Sequence, residues 1–272
     1  MSISLTNEQT KGYSSELEEN GVTLIKNIVP NSLIEDVKEE YDRLDSTLTR
    51  KDIPRDQPII VFWNHVQGET KRIALFSEYP SLMKLIKTIV VPLYRSVVSD
   101  EDQIQLLETI IFNKPPKKSN TLHWHQDVAY FPLKPNNQVA VWLPFENVYA
   151  DTGALNYALG SHKLGIRGST DLHTRKAFDN EDRQLIPENP EAEGFKVSTM
   201  EMTPNDMVIH NGYTWHYSGP NTREGYNRRG LSIRIIRGKV VFDPRPGQGA
   251  AFTKQIDVKP GEAIQGDPFP VL

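Results

Sequence analysis

From Glu108 onward the chain breaks into eight short runs rich in β-branched and aromatic residues. They are ETIIFN (108–113), LHWHQDVAYF (122–131), QVAVWLPFENV (138–148), ALNYALG (154–160), FKVSTMEM (195–202), DMVIHN (206–211), TWHYSG (214–219) and LSIRIIRG (231–238). Clusters of Pro, Gly, Asn and Asp separate them, and no long helical stretch intervenes. Parallel strands need long crossovers, so this spacing predicts an antiparallel barrel or jelly roll. Residues 1 to about 100 read differently, as mostly helical support packed outside that barrel. Thr6-Asn7-Glu8-Gln9 opens a polar helix that Gly21 ends, and Val22–Ile25 is a short strand. Pro30-Asn31-Ser32 starts a second helix, with Leu33, Ile34, Val37 and Tyr41 at helical spacing. Leu82, Leu85, Ile86, Ile89 and Val90 repeat that pattern, and both stripes are assigned to core packing.

The expected organisation is one domain over 1–272, mainly β with flanking α-helices. Residues 1–100 form the support and 104–240 the core. A charged, proline-bearing insertion at 163–195 reads as a surface loop or lid. The tail 243–272 holds five prolines and four glycines and should be irregular, with one short strand at Phe252–Val258.

Composition narrows the chemistry. The chain has no cysteine, which removes disulfides, thiolate-held zinc, iron–sulfur clusters and a cysteine nucleophile. Any metal must be held by histidine and carboxylate. A net charge of −4 lacks the basic excess of a nucleic-acid binder, so a small molecule is the expected partner. No apolar run approaches the ~18 residues that span a bilayer. The N-terminal stretch is polar and acid-bearing, so no membrane contact and a cytoplasmic location are expected.

Seven histidines are few enough to weigh singly. In a strand, residues two apart share a face, so His123, His125 and Asp127 should point one way. A histidine and an aspartate on one face offer two corners of a facial triad of two histidines and one carboxylate, the arrangement of non-haem Fe(II) oxygenases. The same pair equally marks a His–Asp hydrogen bond on a surface strand. A third ligand has to come from downstream. His216 lies in an apolar run ending in a turn, and His210, before the Asn211-Gly212 turn signal, competes with it. His65, His162 and His173 lie in polar or loop contexts and are set aside.

Parity also divides the last run. Arg229, Leu231, Ile233 and Ile235 share one face, and Arg228, Gly230, Ser232 and Arg234 the other. The apolar face should meet the external helices, leaving the Arg228 face inside the barrel. A buried guanidinium needs an anion, and a carboxylate matches its fork. An internal salt bridge is the plainer explanation of the same pattern.

Taken in order, Asn113-Lys114-Pro115-Pro116, His125-Gln126-Asp127, Tyr130-Phe131-Pro132, Val141-Trp142, Asp151-Thr152-Gly153-Ala154-Leu155, Gly160-Ser161-His162-Lys163, His216, Ser218-Gly219, Asn221 and Arg228 resemble the phytanoyl-CoA dioxygenase family of Fe(II)- and 2-oxoglutarate-dependent oxygenases. The match covers roughly half the chain. It implies a double-stranded β-helix, the cupin-like jelly roll, and Fe(II), 2-oxoglutarate and O2 as cofactor and co-substrates. By position, His125, Asp127 and His216 resemble the iron ligands. Arg228 and Ser218 resemble the residues holding the distal carboxylate of 2-oxoglutarate, and Trp142 resembles a tryptophan of that pocket. Asp127 is a carboxylate where related halogenases carry a small residue, which implies hydroxylation of a C–H bond in a small organic or acyl substrate. Desaturation, epimerisation and cyclisation are related outcomes. Residues 163–195 have no counterpart in the family pattern, so substrate identity is not implied. Trp124, Tyr130, Phe131, Tyr213 and Trp215 are candidate pocket aromatics, and Arg234 a candidate partner for an acidic group on the substrate. A non-catalytic binding module and an oxygen-independent cupin-type metalloenzyme are the rival readings. Neither accounts for an inward arginine beyond the histidines.

Overall fold

A computed structural model describes residues 5–47, 60–64, 80–98, 103–116, 121–244, 258–265 and 269–272. Helix α1 (Asn7–Asn20) starts at a capping box: the Thr6 hydroxyl accepts from Gln9 N and the Gln9 side chain accepts from Thr6 N. Gly21 stops it at φ 76°, a left-handed position that disfavours a side chain. A Cβ there would also lie 2.4 Å from the Thr214 hydroxyl. The chain then enters β1 (Val22–Ile25) and α2 (Asn31–Thr47). A strand not anticipated from sequence, β2 (Ile60–Asn64), follows. Helices α3 (Pro80–Leu85) and α4 (Val91–Val97) are joined by a π-helical turn, Ile86–Val90.

The remaining strands are β3 (Ile104–Lys114), β4 (Leu122–His125), β5 (Leu133–Lys134), β6 (Val139–Pro144), β7 (Leu155–Ala158), β8 (Val197–Met200), β9 (Met207–Asn211), β10 (His216–Ser218), β11 (Arg228–Arg237) and β12 (Val241–Phe242). Each of the eight expected runs contains a strand. They form a six-stranded sheet in the order β1-β9-β6-β11-β3-β2, a four-stranded sheet β4-β10-β7-β8 and a β12-β5 pair. The named pairings are antiparallel, giving the two-sheet jelly roll expected.

In the six-stranded sheet, the central strands β6, β11 and β3 are buried on both faces. Its outer face carries Leu231, Ile233 and Ile235 of β11 with Val141, Leu143 and Ile209, all packed with Leu33, Val37, Leu85, Ile89 and Leu93 of the helices. Its inner face presents Arg228, Ser232 and Arg234 to a cavity. A one-residue bulge interrupts the β11–β3 ladder between Arg234 and Ile235. Arg234 stands opposite Glu108 and Ile235 opposite Leu106, so Leu107 of β3 is the extra residue and β11 keeps its alternation.

The tail is anchored more firmly than its composition suggested. Ile264 and Phe269 are fully buried against Leu107, Leu133 and Phe242, and the chain end bridges back to Gln105. All but the last residue of the strand expected at Phe252–Val258 lies outside the described residues; Val258 itself is not in a strand. No helix among the described residues is long and apolar enough to cross a membrane.

Candidate active site

His125 and His216 are direct cross-strand partners at the β4–β10 pairing. Their rings lie 4.0 Å apart, centroid to centroid. Each is held in the same way. His125 Nδ1 is 2.7 Å from the His123 carbonyl, and His216 Nδ1 is 3.0 Å from the Thr214 carbonyl. A carbonyl only accepts, so Nδ1 carries the proton and Nε2 presents its lone pair, the tautomer a metal ligand needs. Burial pushes both imidazoles below the usual histidine range, and His125 adds to that effect on His216. Both therefore stay neutral. One atom each from His125, Asp127 and His216 fall within 4.8 Å of one another, the only such group of three among the described residues.

Asp127 does not reach this cluster by the route expected. β4 ends at His125, and Asp127 opens a 3-10 turn, Asp127–Ala129. Strand parity therefore stops short of it. The His123 ring is not in the cluster either; its contribution is the carbonyl that orients His125. Hydrogen bonds place the carboxylate instead. Arg234 Nη2 donates to Oδ1 at 2.8 Å, and His210 Nε2 lies 3.2 Å from Oδ2. Burial alone would raise the Asp127 carboxyl, but Arg234, the His210 hydrogen bond and His216 hold it well below the usual carboxylate range.

Two expectations change here. Arg234 was expected to meet the substrate. It is buried, its Nη1 donates to Glu108 Oε2 at 2.6 Å, and its second arm holds Asp127, so its fork is occupied by carboxylates of the protein itself. His210 was the polar strand-end alternative to His216. It is 3% exposed and bonded to Asp127 on one side and to the Tyr157 hydroxyl, 3.0 Å away, on the other. His162 bonds the Glu18 carbonyl and His173 lies in the insertion; His65 lies outside the described residues.

The same cavity, about 40 Å³, is also lined by Arg228, Ser218, Trp142 and Lys114. Arg228 is 2% exposed. Its Nη2 donates to the Gly153 carbonyl and to Ser218 Oγ, and its Nε to the Thr152 carbonyl at 3.3 Å. Its guanidinium lies 5.4 Å from the Trp142 ring. Among the described residues it makes no salt bridge. Lys114, fully buried, stands directly across the ladder from Arg228, and its Nζ donates to the carbonyls of Ser218 and Gly219. Facing like charges are unfavourable in a sheet. Burial, then Arg228, lower the Lys114 amine to about 6, and burial lowers Arg228 to about 10. A buried guanidinium bonded to neutral oxygens, with an amine across the ladder from it, suits an anionic ligand. Lys114 carried no site role in the sequence; its position opposite Arg228 is what reveals it. Gly230 completes the pocket, since a Cβ there would lie 2.1 Å from Trp142 Cζ2. Arg229 points outward to Glu146 and Asp42, as parity requires.

The five candidate aromatics do not line this cavity. Tyr130 stands edge-on to His125 at 6.0 Å. Trp124 stacks on Tyr217, and Phe131 packs with Leu133 and Phe242 beneath Arg234. Tyr213 gives its carbonyl to Gln126. Trp215 is buried against Phe195 and lines a separate cavity of about 550 Å³ with Arg167 and Ile186 of the insertion. Trp124 precedes His125 on β4 and so takes the opposite face, whereas Trp215 lies before β10 begins and its backbone N–H donates to Ser161 Oγ. The insertion is tied down rather than free. Gln126 Nε2 donates to the Gly165 and Tyr213 carbonyls, Gln126 Oε1 accepts from Arg167 N, and the Tyr130 hydroxyl donates to the Thr170 carbonyl.

The family model for phytanoyl-CoA dioxygenase (PhyH) matches residues 17–230. Peroxisomal phytanoyl-CoA dioxygenase of Homo sapiens is 26% identical over 243 residues, covering 82% of this chain and 66% of that protein. The Bos taurus enzyme is 27% identical over 252 residues with the same coverage. The chain thus spans 66% of the length of these curated relatives. Among solved structures, the non-heme alpha ketoglutarate dependent carbocyclase SnoK from nogalamycin biosynthesis superposes with a TM-score of 0.74 at 17% identity, covering 98% of both chains. The epimerase SnoN, in complex with Fe3+, alpha ketoglutarate and nogalamycin RO, gives 0.69 at 16% identity over 98% of this chain and 99% of that one. These two likenesses are of fold.

Proposed function

Because this chain belongs to the phytanoyl-CoA dioxygenase family, we propose that it is an Fe(II)- and 2-oxoglutarate-dependent oxygenase that hydroxylates a C–H bond of a small organic or acyl substrate. The observation that carries this reading is the convergence of a two-histidine, one-carboxylate cluster and a buried Arg228–Lys114 pair on one cavity. The donor set suits Fe(II): two neutral imidazoles and one ionised carboxylate, with coordination positions left for other groups. Overall, substrate, 2-oxoglutarate and O2 give hydroxylated product, succinate and carbon dioxide. Bound iron supplies oxygen activation and the oxidative decarboxylation of 2-oxoglutarate.

The chain's own work is to bind, orient and exclude water. His125, Asp127 and His216 hold the metal. Arg228 and Ser218 take the distal carboxylate of 2-oxoglutarate, with the Lys114 ammonium beside them, and Trp142 walls the pocket. Gln126 and Tyr130 brace the insertion next to these groups. A carboxylate at Asp127 fills the position that a halide would need, which favours hydroxylation.

The test is oxygen consumption and succinate formation by Fe(II)-loaded protein, with candidate substrates screened by product mass. A gain of one oxygen atom marks hydroxylation; a rearranged product of unchanged oxygen count marks epimerisation or cyclisation instead. Failure to bind Fe(II), or no oxygen-dependent succinate with any substrate or in its absence, would overturn the reading.

A further inference from the structure

We propose that His210, backed by Tyr157, is a positioning residue that makes Asp127 a one-oxygen metal ligand. This deepens the reading above and rests on it. The need follows from where Asp127 sits. It lies beyond the end of β4, in a 3-10 turn, so no strand ladder fixes its side-chain direction. A buried carboxylate able to turn would offer a metal one oxygen or both.

The two oxygens have different surroundings. Oδ1 lies 3.9 Å from His216 Nε2 and accepts from Arg234. Oδ2 meets His210 Nε2 at 3.2 Å. Oδ1 is thus the oxygen turned toward the other ligands, and Oδ2 is held back. A carboxylate only accepts, so Nε2 of His210 carries the proton. Its Nδ1 then accepts from the Tyr157 hydroxyl 3.0 Å away, and every donor in the chain Tyr157–His210–Asp127 is used. Burial and Asp127 keep the Tyr157 phenol protonated, consistent with that direction. His210 comes from β9 of the six-stranded sheet and Tyr157 from β7 of the four-stranded one, so the chain spans both walls of the barrel. His210 is outside the three-residue cluster, which separates its role from that of a ligand.

The experiment is anaerobic calorimetry of Co(II) and Fe(II) binding, with the Co(II) visible spectrum as a report on coordination. The proteins compared are the parent, His210→Phe, His210→Gln, Tyr157→Phe and His216→Ala. Metal-free thermal unfolding controls for folding. Removal of a group that orients a ligand typically weakens metal binding about 10–100-fold. His210→Phe should fall in that range and shift the Co(II) bands. His210→Gln, which keeps an N–H near Nε2, should recover most of the affinity and the parent spectrum. Tyr157→Phe, which removes one oxygen atom and keeps the ring, should cause a smaller loss with a band shift in the same direction. Parent-like affinity and spectrum in both His210→Phe and Tyr157→Phe would overturn the proposal. So would a loss in His210→Gln as complete as in His216→Ala, which makes His210 a ligand. Should His210→Phe not fold, an unchanged Co(II) spectrum in Tyr157→Phe is enough to overturn it. Absence of metal binding by the parent would instead sink the oxygenase reading itself.

Discussion

The four-stranded sheet offers its two histidines from strands of four and three residues, whereas the six-stranded sheet offers Lys114 and Arg228 from strands of eleven and ten. The long strands fix direction by alternation alone: Arg228, Ser232 and Arg234 look inward because Leu231, Ile233 and Ile235 must look outward. The short strands cannot do this. There, direction comes from hydrogen bonds to the His123 and Thr214 carbonyls and from the Arg234–His210 clamp on Asp127. One wall is set by periodicity and the other by polar contacts that must each be satisfied.

The contrast can be broken most severely on the metal side. Alanine at His125, Asp127 or His216 should abolish Fe(II) binding and turnover, since each removes one of three ligands. His123→Ala should keep metal within a few-fold, because only its backbone carbonyl is used. Metal content after gel filtration separates the two outcomes, and retention of iron by His125→Ala would contradict the assignment.

On the other wall, Arg228→Lys keeps charge but loses the fork. Loss of one charge-assisted bond, about 1.5–3 kcal/mol, corresponds to roughly a 10–100-fold rise in the KM for 2-oxoglutarate. Arg229→Lys should leave that KM unchanged and lower stability by about 0.5–1 kcal/mol, the scale of a partly exposed pair. Steady-state kinetics with 2-oxoglutarate varied, beside urea unfolding, would show both. A reversed pattern would mean that alternation does not govern β11.

A gentler probe is Gly230→Ala. Its Cβ would meet the Trp142 indole at 2.1 Å, and a rigid ring inside a packed barrel gives way only by moving. The expected cost is about 1–3 kcal/mol of stability, with weaker 2-oxoglutarate binding and metal affinity unchanged. Equal damage to metal binding would show that the two walls are not independent.

The smallest expected signal is a proton. Lys114, lowered to about 6 by burial and Arg228, is neutral at pH 8 in the ligand-free protein. A carboxylate arriving beside it should draw in about one proton, read by calorimetry in buffers of different ionisation enthalpy. The uptake should vanish in Lys114→Met and shrink below pH 6, where the amine is already charged. The ligand-free protein should correspondingly gain stability as pH rises from about 6 toward the ordinary lysine value of 10.5, because the unfolded chain holds a proton that the folded one has shed.

Legibility in the sequence follows the same division. The helices were readable from Thr6, Gly21 and the apolar stripes, and the eight core runs from composition and turn residues. Arg228 and the outward turn of Arg229 were readable because β11 is long and its alternation unbroken. Asp127 was paired with His125 by motif, but its true mooring was not visible, since Arg234 and His210 are 107 and 83 residues away in sequence. Lys114 escaped for the same reason: its meaning comes from the residue opposite it. Alternation along β4 sends Trp124 to the face opposite His125, whereas Trp215, just before β10, lines the separate cavity beside the insertion, a placement that only the fold reveals.

The insertion meets the site through hydrogen bonds that fall on its main chain: Gly165 and Thr170 carbonyls, Arg167 N–H, and the Leu172 carbonyl that takes His123 N–H. The side chains of Gln126 and Tyr130, and the main chain of His123, grip it by peptide groups, which every amino acid carries. These main-chain hydrogen bonds do not read side chains, whereas Phe178 against Tyr130 and Phe195 against Trp215 do use theirs. A lineage could rewrite what the insertion presents to a substrate and keep the same grip on it.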